Sequence, residues 1–324
     1  MEKEKMLDIR NLSMVYTAGK SAVHAVNGIS FSLAEGEILG LVGETGAGKT
    51  SIAKAILSIL PTHSSRITGG EILFRGRDLL KLSESELQKI RGNQISMIFQ
   101  DPMTALNPVQ RVGRQIAEGL KLHQNITWKD SMEQAANMLE TVGISRDRMN
   151  EYPHQFSGGM KQRVIIAMAL ACNPALLLAD EPTTALDVTI QAQVLKMMSD
   201  LHEKYNTAII LITHDLGVVA QMCNHVGVVY AGEMIEYGSR REIFKNPQHP
   251  YTRGLFGALP DITVKTRRLH VIEGLPPNPI DLPQGCKFSP RCKLATEECR
   301  EGTVLAKQLG ETHMCRCLYA GKEE

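Results

Sequence analysis

The sequence predicts an α/β fold with an inserted helical segment and a distinct C-terminal extension. The nearly continuous apolar run Glu37–Val42 suits a buried parallel strand, and it leads through a glycine-rich turn into a helix over Lys49–Leu60 that Pro61 ends. Residues from about Asp101 to Tyr152 show helical periodicity and little strand signal. From about Arg241, proline becomes frequent and periodicity fades, which indicates a boundary there.

The remaining elements follow from local patterns. Leu7–Tyr16 alternates as a half-buried strand does, and Ile29–Leu33 is predicted to form a strand pair with Glu37–Val42. Ser83 and Glu86 form a capping box that opens a helix to Arg91. We also predict strands at Glu71–Phe74, Gln94–Phe99, Ala175–Ala179 and Ala208–Thr213, an amphipathic helix at Val188–Tyr205, and a hairpin at His225–Tyr237.

Composition restricts the function classes. Of the 324 residues, 43% are hydrophobic and 22% are charged, which is ordinary for a soluble globular protein. The net charge of +1 gives no basic footprint for nucleic acid. The longest apolar stretch, Val164–Cys172, is far shorter than the roughly 20 residues that a bilayer requires, and no signal peptide is evident. Any role at a membrane therefore requires docking onto another chain.

The first chemical motif is G-E-T-G-A-G-K-T, which follows a predicted buried strand and opens a helix. In that setting backbone N–H groups turn inward and, with the positive end of the helix dipole, bind phosphate. Lys49 is expected to reach the β- and γ-phosphates, and the Thr50 hydroxyl to ligate Mg²⁺. The nucleotide contacts are predicted for Gly43, Glu44, Thr45, Gly46, Ala47, Gly48, Lys49, Thr50 and Ser51.

An acidic pair ends the second buried strand, A-L-L-L-A-D-E. Asp180 is placed to enter the Mg²⁺ shell, and Glu181 to accept a proton from the attacking water. Such a pair could instead only cap the next helix, but the intact phosphate loop favours the catalytic interpretation.

A second candidate phosphate site is F-S-G-G-M-K-Q-R at Phe156–Arg163, where Ser157, Gly158 and Gly159 open an apolar helix. A simple helix cap at Ser157 is the alternative. One chain thus carries two phosphate sites but only one set of magnesium and base residues. We therefore expect the second site to complete the pocket of another chain.

In this order the motifs resemble those of the ABC-transporter ATPases, over Leu7 to about Arg240. The resemblance implies a P-loop NTPase core of the RecA-like type with an N-terminal antiparallel β-subdomain. It also implies an ATPase domain over 1–240, with a helical subdomain at about 101–155, and a cysteine-rich extension over 241–324. Two such chains close face to face over two ATP molecules.

The resemblance also implies roles for single residues. Gln100 matches the Q-loop, which binds Mg²⁺ and senses the γ-phosphate, and His214 matches the switch histidine. Asp187 matches the D-loop at the subunit interface. Tyr16 falls where the family stacks an aromatic ring on adenine, although strand packing would also explain it. Phe156 and Met160 depart from the commoner signature L-S-G-G-Q without removing a serine hydroxyl or glycine amide.

Two further segments resemble the ATP-binding subunits of dipeptide and oligopeptide importers: Gln100–Val109 and Asn246–Thr252. The implied partners are a second ABC ATPase subunit, favoured to be an unlike relative, two transmembrane permease subunits and an extracytoplasmic peptide-binding protein. The implied location is the cytoplasmic face of the membrane, as a peripheral protein. A nickel or glutathione importer, and a soluble ABC ATPase without a transport role, are the alternatives.

Five of the seven cysteines lie in the last forty residues, whereas Cys172 and Cys223 lie in apolar helical contexts. A segment with few apolar residues needs a staple, and clustered thiolates can supply one. The spacing resembles the iron–sulfur motif of one peptide-importer ATPase subunit, which implies a [4Fe–4S] cluster on Cys286, Cys292, Cys299 and Cys317. Zn²⁺ suits four thiolates almost equally well, and Cys315 could replace Cys317 as the fourth ligand.

Overall fold

The computed structural model describes residues 5–19, 21–101, 105–184, 186–258 and 272–322. They divide into two compact units. One unit contains Ala34–Ile38 and Lys81–Ile212, and the other contains Lys5–Leu33, Leu39–Leu80 and the chain from Thr213 onward. No helix within these ranges is long and apolar enough to cross a membrane.

The first unit has three parallel strands in the order β6, β7, β8. These are β6 (Ile95–Ile98), β7 (Leu176–Asp180) and β8 (Ala208–Ile212). Every residue of all three strands is buried, which explains their continuous apolar runs. Residues that follow the carboxyl ends of these strands, such as Glu181 after β7, are therefore held at one edge of the sheet.

Helices form the rest of this unit, as the periodicity of the middle segment predicts. Thr127 caps the second helix of the insertion by accepting a hydrogen bond from the Asp130 amide. The α-helices are α2 (Glu84–Ile90), α3 (Val112–His123), α4 (Trp128–Thr141), α5 (Gly158–Leu170) and α6 (Val188–Tyr205), and two 3₁₀ turns span Arg146–Asn150 and Pro153–Gln155.

The second unit contains an antiparallel sheet in the order β2, β1, β4, β5, which confirms the predicted N-terminal antiparallel sheet. Its strands are β1 (Lys5–Ala18), β2 (Ser21–Ala34), β4 (Ser65–Phe74) and β5 (Arg77–Asp78). Alternation of exposed and buried side chains along β2 is typical of a sheet with one solvent-facing side.

A separate set of strands in this unit starts from β3 (Ile38–Val42), which runs parallel to β9 (His225–Tyr230). The expected pairing of Ile29–Leu33 with the β3 segment is therefore wrong, because β2 pairs with β1 instead. The hairpin predicted at His225–Tyr237 is present as β9 and β10 (Glu233–Ser239). The short strands β12 (Met314–Cys315) and β11 (Lys307–Gln308) extend this set beyond β10.

Helix α1 spans Lys49–Ile56 and so ends four residues before the predicted end at Leu60. The amide of the cap residue Leu57 closes the last turn on Ala53, and Ser58 then takes a left-handed conformation with φ of 52°. That conformation stops the helix before Pro61 is reached. The later helices of the unit are α7 (Leu216–Met222), α8 (Arg240–Lys245), α9 (Pro250–Gly257) and α10 (Glu297–Glu301).

Candidate functional site

The glycine-rich loop lies between β3 and α1, as its sequence context predicts. Gly43 has φ of 151°, and a Cβ there would lie 2.1 Å from the carbonyl oxygen of Val229. Gly48, the N-cap residue of α1, has φ of 103°, and a Cβ there would lie 2.2 Å from the carbonyl oxygen of Ala25. Only glycine fits at these two positions, and this close packing shapes the turn that leads into the helix.

Lys49 is held within the same loop. Its side chain is 7% exposed, and Nζ donates hydrogen bonds to the carbonyl oxygens of Gly43 (2.7 Å) and Glu44 (3.0 Å). The ammonium group is thereby placed inside the loop, next to the N-terminus of α1. A buried cation beside backbone amides at a helix N-terminus is an arrangement that binds polyphosphate.

The predicted adenine-stacking residue Tyr16 lies near this loop. The hydroxyl group of Tyr16 is 3.2 Å from that of Ser51 in the first turn of α1. The side chain is half-buried rather than part of the core. Its ring is therefore available on the same side of the unit as the phosphate loop.

Glu181, directly after β7, has an unusual backbone. Its φ is 48°, which is left-handed for a residue with a bulky side chain, and its amide donates to the carbonyl oxygen of Ile212 over 2.8 Å. Such conformations cost about 1–3 kcal/mol and are found mainly where the surroundings impose them. The buried strands β7 and β8 hold this residue and so determine where its carboxylate points.

The structure brings Gln100 and Glu181 together. The Gln100 amide donates to Oε2 of Glu181 over 3.1 Å, and the Thr184 hydroxyl donates to the same oxygen over 2.9 Å. Gln100 and Glu181 are separated by 81 positions in the sequence, so their contact depends on the pairing of β6 with β7. A carboxylate oriented by two donors, one of them exposed Gln100, is placed to receive a proton from water.

Two other predicted residues lie where their strands end. Asp180 is the last residue of β7 and is 2% exposed. His214 follows β8 and is exposed at the start of the loop that leads into α7.

The signature loop and the D-loop each cap a helix. Ser157 is the N-cap of α5, and its Oγ accepts from the Met160 amide at 3.4 Å. Asp187 is the N-cap of α6, and its carboxylate accepts from the Ile190 amide at 2.9 Å. A Cβ on Gly159 would lie 2.5 Å from the Ile190 side chain, so the two helix N-termini are in close contact. Ser157 and Asp187 are both exposed.

Arg148 contacts both signature residues that differ from the commoner motif, Phe156 and Met160. Its guanidinium carbon lies 4.6 Å from the centre of the Phe156 ring, and one nitrogen lies 3.2 Å from the Met160 sulfur. The same side chain donates to Glu151 and to the carbonyl oxygen of Gln155. One arginine thus contacts both positions that differ from the commoner signature and steadies the loop that leads into α5.

Four of the terminal cysteines, Cys286, Cys292, Cys299 and Cys317, are here called the cysteine set. The Cys286 amide donates to the carbonyl oxygen of Cys299 over 2.8 Å. Burial, with smaller contributions from the nearby thiols of Cys292 and Cys317, raises the pKa of Cys286 to about 11. Burial also raises the pKa of Cys292 and Cys317, and both of these interact electrostatically with Cys299. Burial raises the pKa of the fifth terminal cysteine, Cys315. Of the four thiols in the cysteine set, only that of Cys317 adds to this rise.

Backbone amides act against burial at three of these thiols. The amides of Phe288 and Leu294 lower the pKa of Cys286 and of Cys292, respectively, and those of Tyr319 and Ala320 lower the pKa of Cys317, but burial outweighs them. The Ala320 amide donates to the carbonyl oxygen of Cys317 over 3.3 Å. Among the described residues, no group of three or more His, Cys, Asp or Glu side chains is placed to hold a single metal ion.

Sequence reasoning missed two residues that contact the phosphate loop. The fully buried Tyr251 receives the Glu44 amide on its hydroxyl oxygen at 2.9 Å, and Arg291 pairs with the Glu44 carboxylate at 2.9 Å. Both lie more than 200 positions away in the sequence. The only local signals are the extension motif that contains Tyr251 and the position of Arg291 directly before Cys292.

Comparison with known proteins agrees with this geometry. Residues 26–184 match the family described as ABC transporter, and residues 235–299 match the C-terminal region of oligopeptide/dipeptide transporters. The dipeptide transport ATP-binding protein DppD of Bacillus subtilis is 50% identical over 89% of this chain and 87% of its own length. The oligopeptide transport ATP-binding protein OppD of Escherichia coli is 50% identical over 94% and 90%, respectively.

Solved structures show the same fold. The dimeric ATP-binding cassette MJ0796, bound to ADP and Pi, superposes with a TM-score of 0.66 at 26% identity, covering 73% of this chain and 99% of that one. The protein cbiO1 of Clostridium perfringens, part of the transporter complex cbiONQ, gives a TM-score of 0.64 at 26% identity, covering 75% and 92%. The chain therefore belongs to the family of dipeptide and oligopeptide transport ATP-binding proteins, whose ATPase domain is of the ABC-transporter type.

Proposed function

We propose that this chain is the ATP-hydrolysing subunit that drives import of dipeptides or oligopeptides through an ABC transporter. The contact that carries the catalytic part is the Gln100–Glu181 pair, because it orients a carboxylate at the end of a buried strand. The peptide part is supported by relatives that are 50% identical over most of the chain and are named for dipeptide and oligopeptide transport.

Hydrolysis is assigned to named residues. The amides of the Gly43–Thr50 loop and the Lys49 ammonium hold the triphosphate. Glu181 accepts a proton from a water molecule whose oxygen attacks the γ-phosphorus, and the bond from phosphorus to the bridging oxygen breaks to release ADP and phosphate. His214 contacts the γ-phosphate in this scheme, and Tyr16 stacks on adenine.

The donor set for Mg²⁺ consists of the Thr50 hydroxyl, the Asp180 carboxylate and the Gln100 amide oxygen. Oxygen ligands of this kind suit Mg²⁺, which binds few protein groups and keeps several waters. The bound ion would neutralise charge on the phosphates.

We propose that one set of residues contacts the nucleotide that is bound by a second ATPase subunit. These residues are Ser157, Gly158, Gly159 and Asp187. The exposure of Ser157, Gly158 and Asp187 supports this role, since a phosphate site on the surface of one chain can close over the nucleotide of another. Sequence resemblance favours an unlike relative as the mate. We keep the division into an ATPase domain over 1–240 and an extension over 241–324 as part of the same proposal.

A groove in the helical insertion is the proposed docking surface for the membrane subunits. It has a volume of about 530 Å³ and lies between Val109 and Met149. Val109 is 82% exposed and Trp128 is 43% exposed, which is unusual for large apolar side chains. The groove thus offers apolar side chains together with polar ones, among them Arg111 and Arg114, to a short helix of a permease subunit. Two permease subunits, an extracytoplasmic peptide-binding protein and a peripheral position at the cytoplasmic face of the membrane complete the proposal.

The cysteine set is proposed to hold a [4Fe–4S] cluster. Four thiolates are the usual ligands of such a cluster, and hydrogen bonds from backbone amides to sulfur tune its potential. The spacing of these four cysteines, which resembles the iron–sulfur motif of a peptide-importer ATPase subunit, supports the proposal. When bound, the cluster would cross-link segments that have little core of their own. Cys317 is the proposed fourth ligand, because Cys315 is fully buried in the strand β12, which pairs with β10.

Ligand identity at the cysteine set can be tested by iron, acid-labile sulfide and zinc analysis of protein purified without oxygen. We expect about four irons per chain and visible absorption, with both lost in Cys317→Ser and retained in Cys315→Ser. Zinc at one ion per chain would favour the alternative, and iron lost only in Cys315→Ser would reverse the ligand assignment.

Catalysis is tested with Glu181→Gln. We expect turnover to fall by roughly 10²–10⁴-fold while ATP binding is retained, because only the proton acceptor is removed. Glu203→Gln, at an exposed position on α6, is the matched control and should hydrolyse ATP at the normal rate. Full activity in Glu181→Gln would refute its role as the base.

Transport is tested by purifying the chain from membranes and identifying what accompanies it. Two permeases with a second ATPase, and uptake of labelled dipeptide that depends on this chain, would support the proposal. Uptake of nickel or glutathione instead would favour the corresponding importer. A chain recovered without any membrane subunit would favour the soluble ABC ATPase.

A further inference from the structure

The C-terminal extension contacts the phosphate loop at Glu44. The Arg291 guanidinium lies 2.9 Å from the Glu44 carboxylate, and the side chains of these residues are 6% and 26% exposed. The backbone of Glu44 is also held, because its amide donates to the hydroxyl oxygen of Tyr251 over 2.9 Å. Both the backbone and the side chain of this loop residue are therefore held by distant residues.

Arg291 is held in place by more than its ion pair. One nitrogen that contacts Glu44 also lies 3.2 Å from the hydroxyl oxygen of Tyr230, and the other nitrogens donate to the carbonyl oxygens of Ile272 (3.3 Å) and Glu273 (3.1 Å). Burial alone would lower the pKa of Arg291, but the hydrogen bonds to Glu44 and Tyr230 raise it. Because the planar guanidinium group contacts four acceptors, it has little freedom to move.

Aromatic rings join this pair to the cysteine set. The ring centres of Tyr230 and Tyr251 are 4.6 Å apart, and Phe288 packs against them at 5.3 Å and 5.5 Å. Phe288 is 4% exposed and lies two residues after Cys286, whose carbonyl oxygen accepts a hydrogen bond from the Ser289 amide over 2.9 Å. Arg291 directly precedes Cys292 in the chain. A continuous packed path thus leads from the thiols to the phosphate loop.

Charge at Glu44 gives this path a consequence for nucleotide binding. A carboxylate in a loop that binds a triphosphate repels the ligand unless a cation neutralises it. Arg291 supplies that cation from a buried side chain, and water screens the charges there less than at an open surface. Removing the arginine would leave Glu44 unpaired next to the phosphates.

We propose that Arg291 is a positioning residue for ATP binding, which neutralises Glu44 and ties the geometry of the phosphate loop to the order of the cysteine set. The ATP affinity of the chain then depends on a segment that contributes no ligand to the nucleotide. The proposal rests on nucleotide binding by the Gly43–Thr50 loop, and its dependence on the cysteine set rests on the proposed cluster.

The test measures the dissociation constant of a non-hydrolysable ATP analogue by calorimetry, on the full chain. We expect Arg291→Ala to weaken binding roughly tenfold, since that corresponds to the loss of a single partly buried ionic contact. Glu44→Gln should not weaken binding, because it removes the carboxylate that repels the triphosphate and leaves the Arg291 cation in place. The double variant should then bind like Glu44→Gln, so that the second change suppresses the first.

Lys293→Ala is the matched control, because this lysine flanks Cys292 on the other side but is 83% exposed and lies 3.9 Å from its acidic neighbour Glu273. It should bind the analogue like the unmodified chain. If Arg291→Ala fails to fold by circular dichroism, Arg291→Lys, which retains the charge, takes its place in the same cycle with a smaller expected loss.

Cys292→Ser adds a second readout, because it perturbs the cysteine set without removing Mg²⁺. Affinity should fall when this change is made in the unmodified chain and should change little when it is added to Arg291→Ala, in which the path is already broken. Unchanged affinity in Arg291→Ala, or losses that add in the double variant, would overturn the proposal. If Lys49→Ala still binds the analogue, the phosphate-loop assignment itself has failed, which is a different result.

Discussion

His249 makes the stability of this protein sensitive to acid. The side chain is 1% exposed and is the N-cap of α9, where Nδ1 accepts a hydrogen bond from the Tyr251 amide over 3.0 Å. Protonation of Nδ1 would remove this acceptor. Burial lowers the pKa of His249 from 6.5 to about 4, although the Glu236 charge acts in the opposite direction. The neutral ring is therefore the form that the folded protein requires.

The sign and size of the effect follow from linkage. Between pH 6.5 and 4 the unfolded chain binds a proton at His249 and the folded chain does not, so the free energy of unfolding falls as pH falls. From pH 8 to pH 5, these pKa values correspond to a loss of about 2 kcal/mol, and the full shift corresponds to about 3 kcal/mol. Burial alone would raise the pKa of Glu236, but hydrogen bonds from His313 and from the Gln248 and His249 amides lower it overall, which favours the ionised carboxylate.

His249→Asn separates this effect from other titrations. Asparagine keeps an acceptor at the N-cap but does not titrate. It loses the contact of the imidazole with Phe288, whose ring centre lies 5.8 Å away, so the variant should be less stable at pH 8. Urea unfolding followed by circular dichroism should show that the stability difference between the two proteins shrinks by about 2 kcal/mol at pH 5.

The matched control is His63→Asn, at an exposed position, which should leave the pH dependence unchanged. A stability difference between the unmodified chain and His249→Asn that is the same at pH 5 and pH 8 would refute the reasoning. It would mean that the ring is already protonated in the folded protein or that it is accessible to water.

Three further predictions concern the nucleotide sites. Lys49→Ala should abolish ATP binding in calorimetry, because the ammonium group held by Gly43 and Glu44 is lost; measurable affinity would contradict this. Gly48→Ala should lower the free energy of unfolding by roughly 2–4 kcal/mol, measured by thermal unfolding. The reason is that Gly48 has φ of 103° and that the new Cβ would lie 2.2 Å from the carbonyl oxygen of Ala25. Gly76→Ala, at φ of 76° with no atom within 4 Å, should cost less, and equal losses would rule out the steric explanation. Arg148→Ala should slow ATP hydrolysis by the assembled subunit pair roughly tenfold, because it loosens the signature loop. ATP binding by this chain alone should not change. An unchanged hydrolysis rate of the pair would argue against that role.

Local patterns in the sequence were sufficient for the phosphate loop, the acidic pair and the helix-capping motifs. Each depends on residues close together in the chain: a buried strand, a turn in which only glycine fits, and the first turn of a helix. The predicted strand pair at Ile29–Leu33 and Glu37–Val42 failed for the opposite reason. Strand pairing depends on which surfaces the whole chain can bury, and alternation along one strand does not reveal its neighbour.

The sequence by itself determined the family of this protein and the chemistry of its main motifs, because these are encoded in spacing along the chain. Only the tertiary structure decided that Gln100 meets Glu181, that Arg148 contacts both unusual signature residues, and that Arg291 reaches Glu44 across 247 positions. Such contacts arise when strands pair and side chains pack, so no local pattern specifies them.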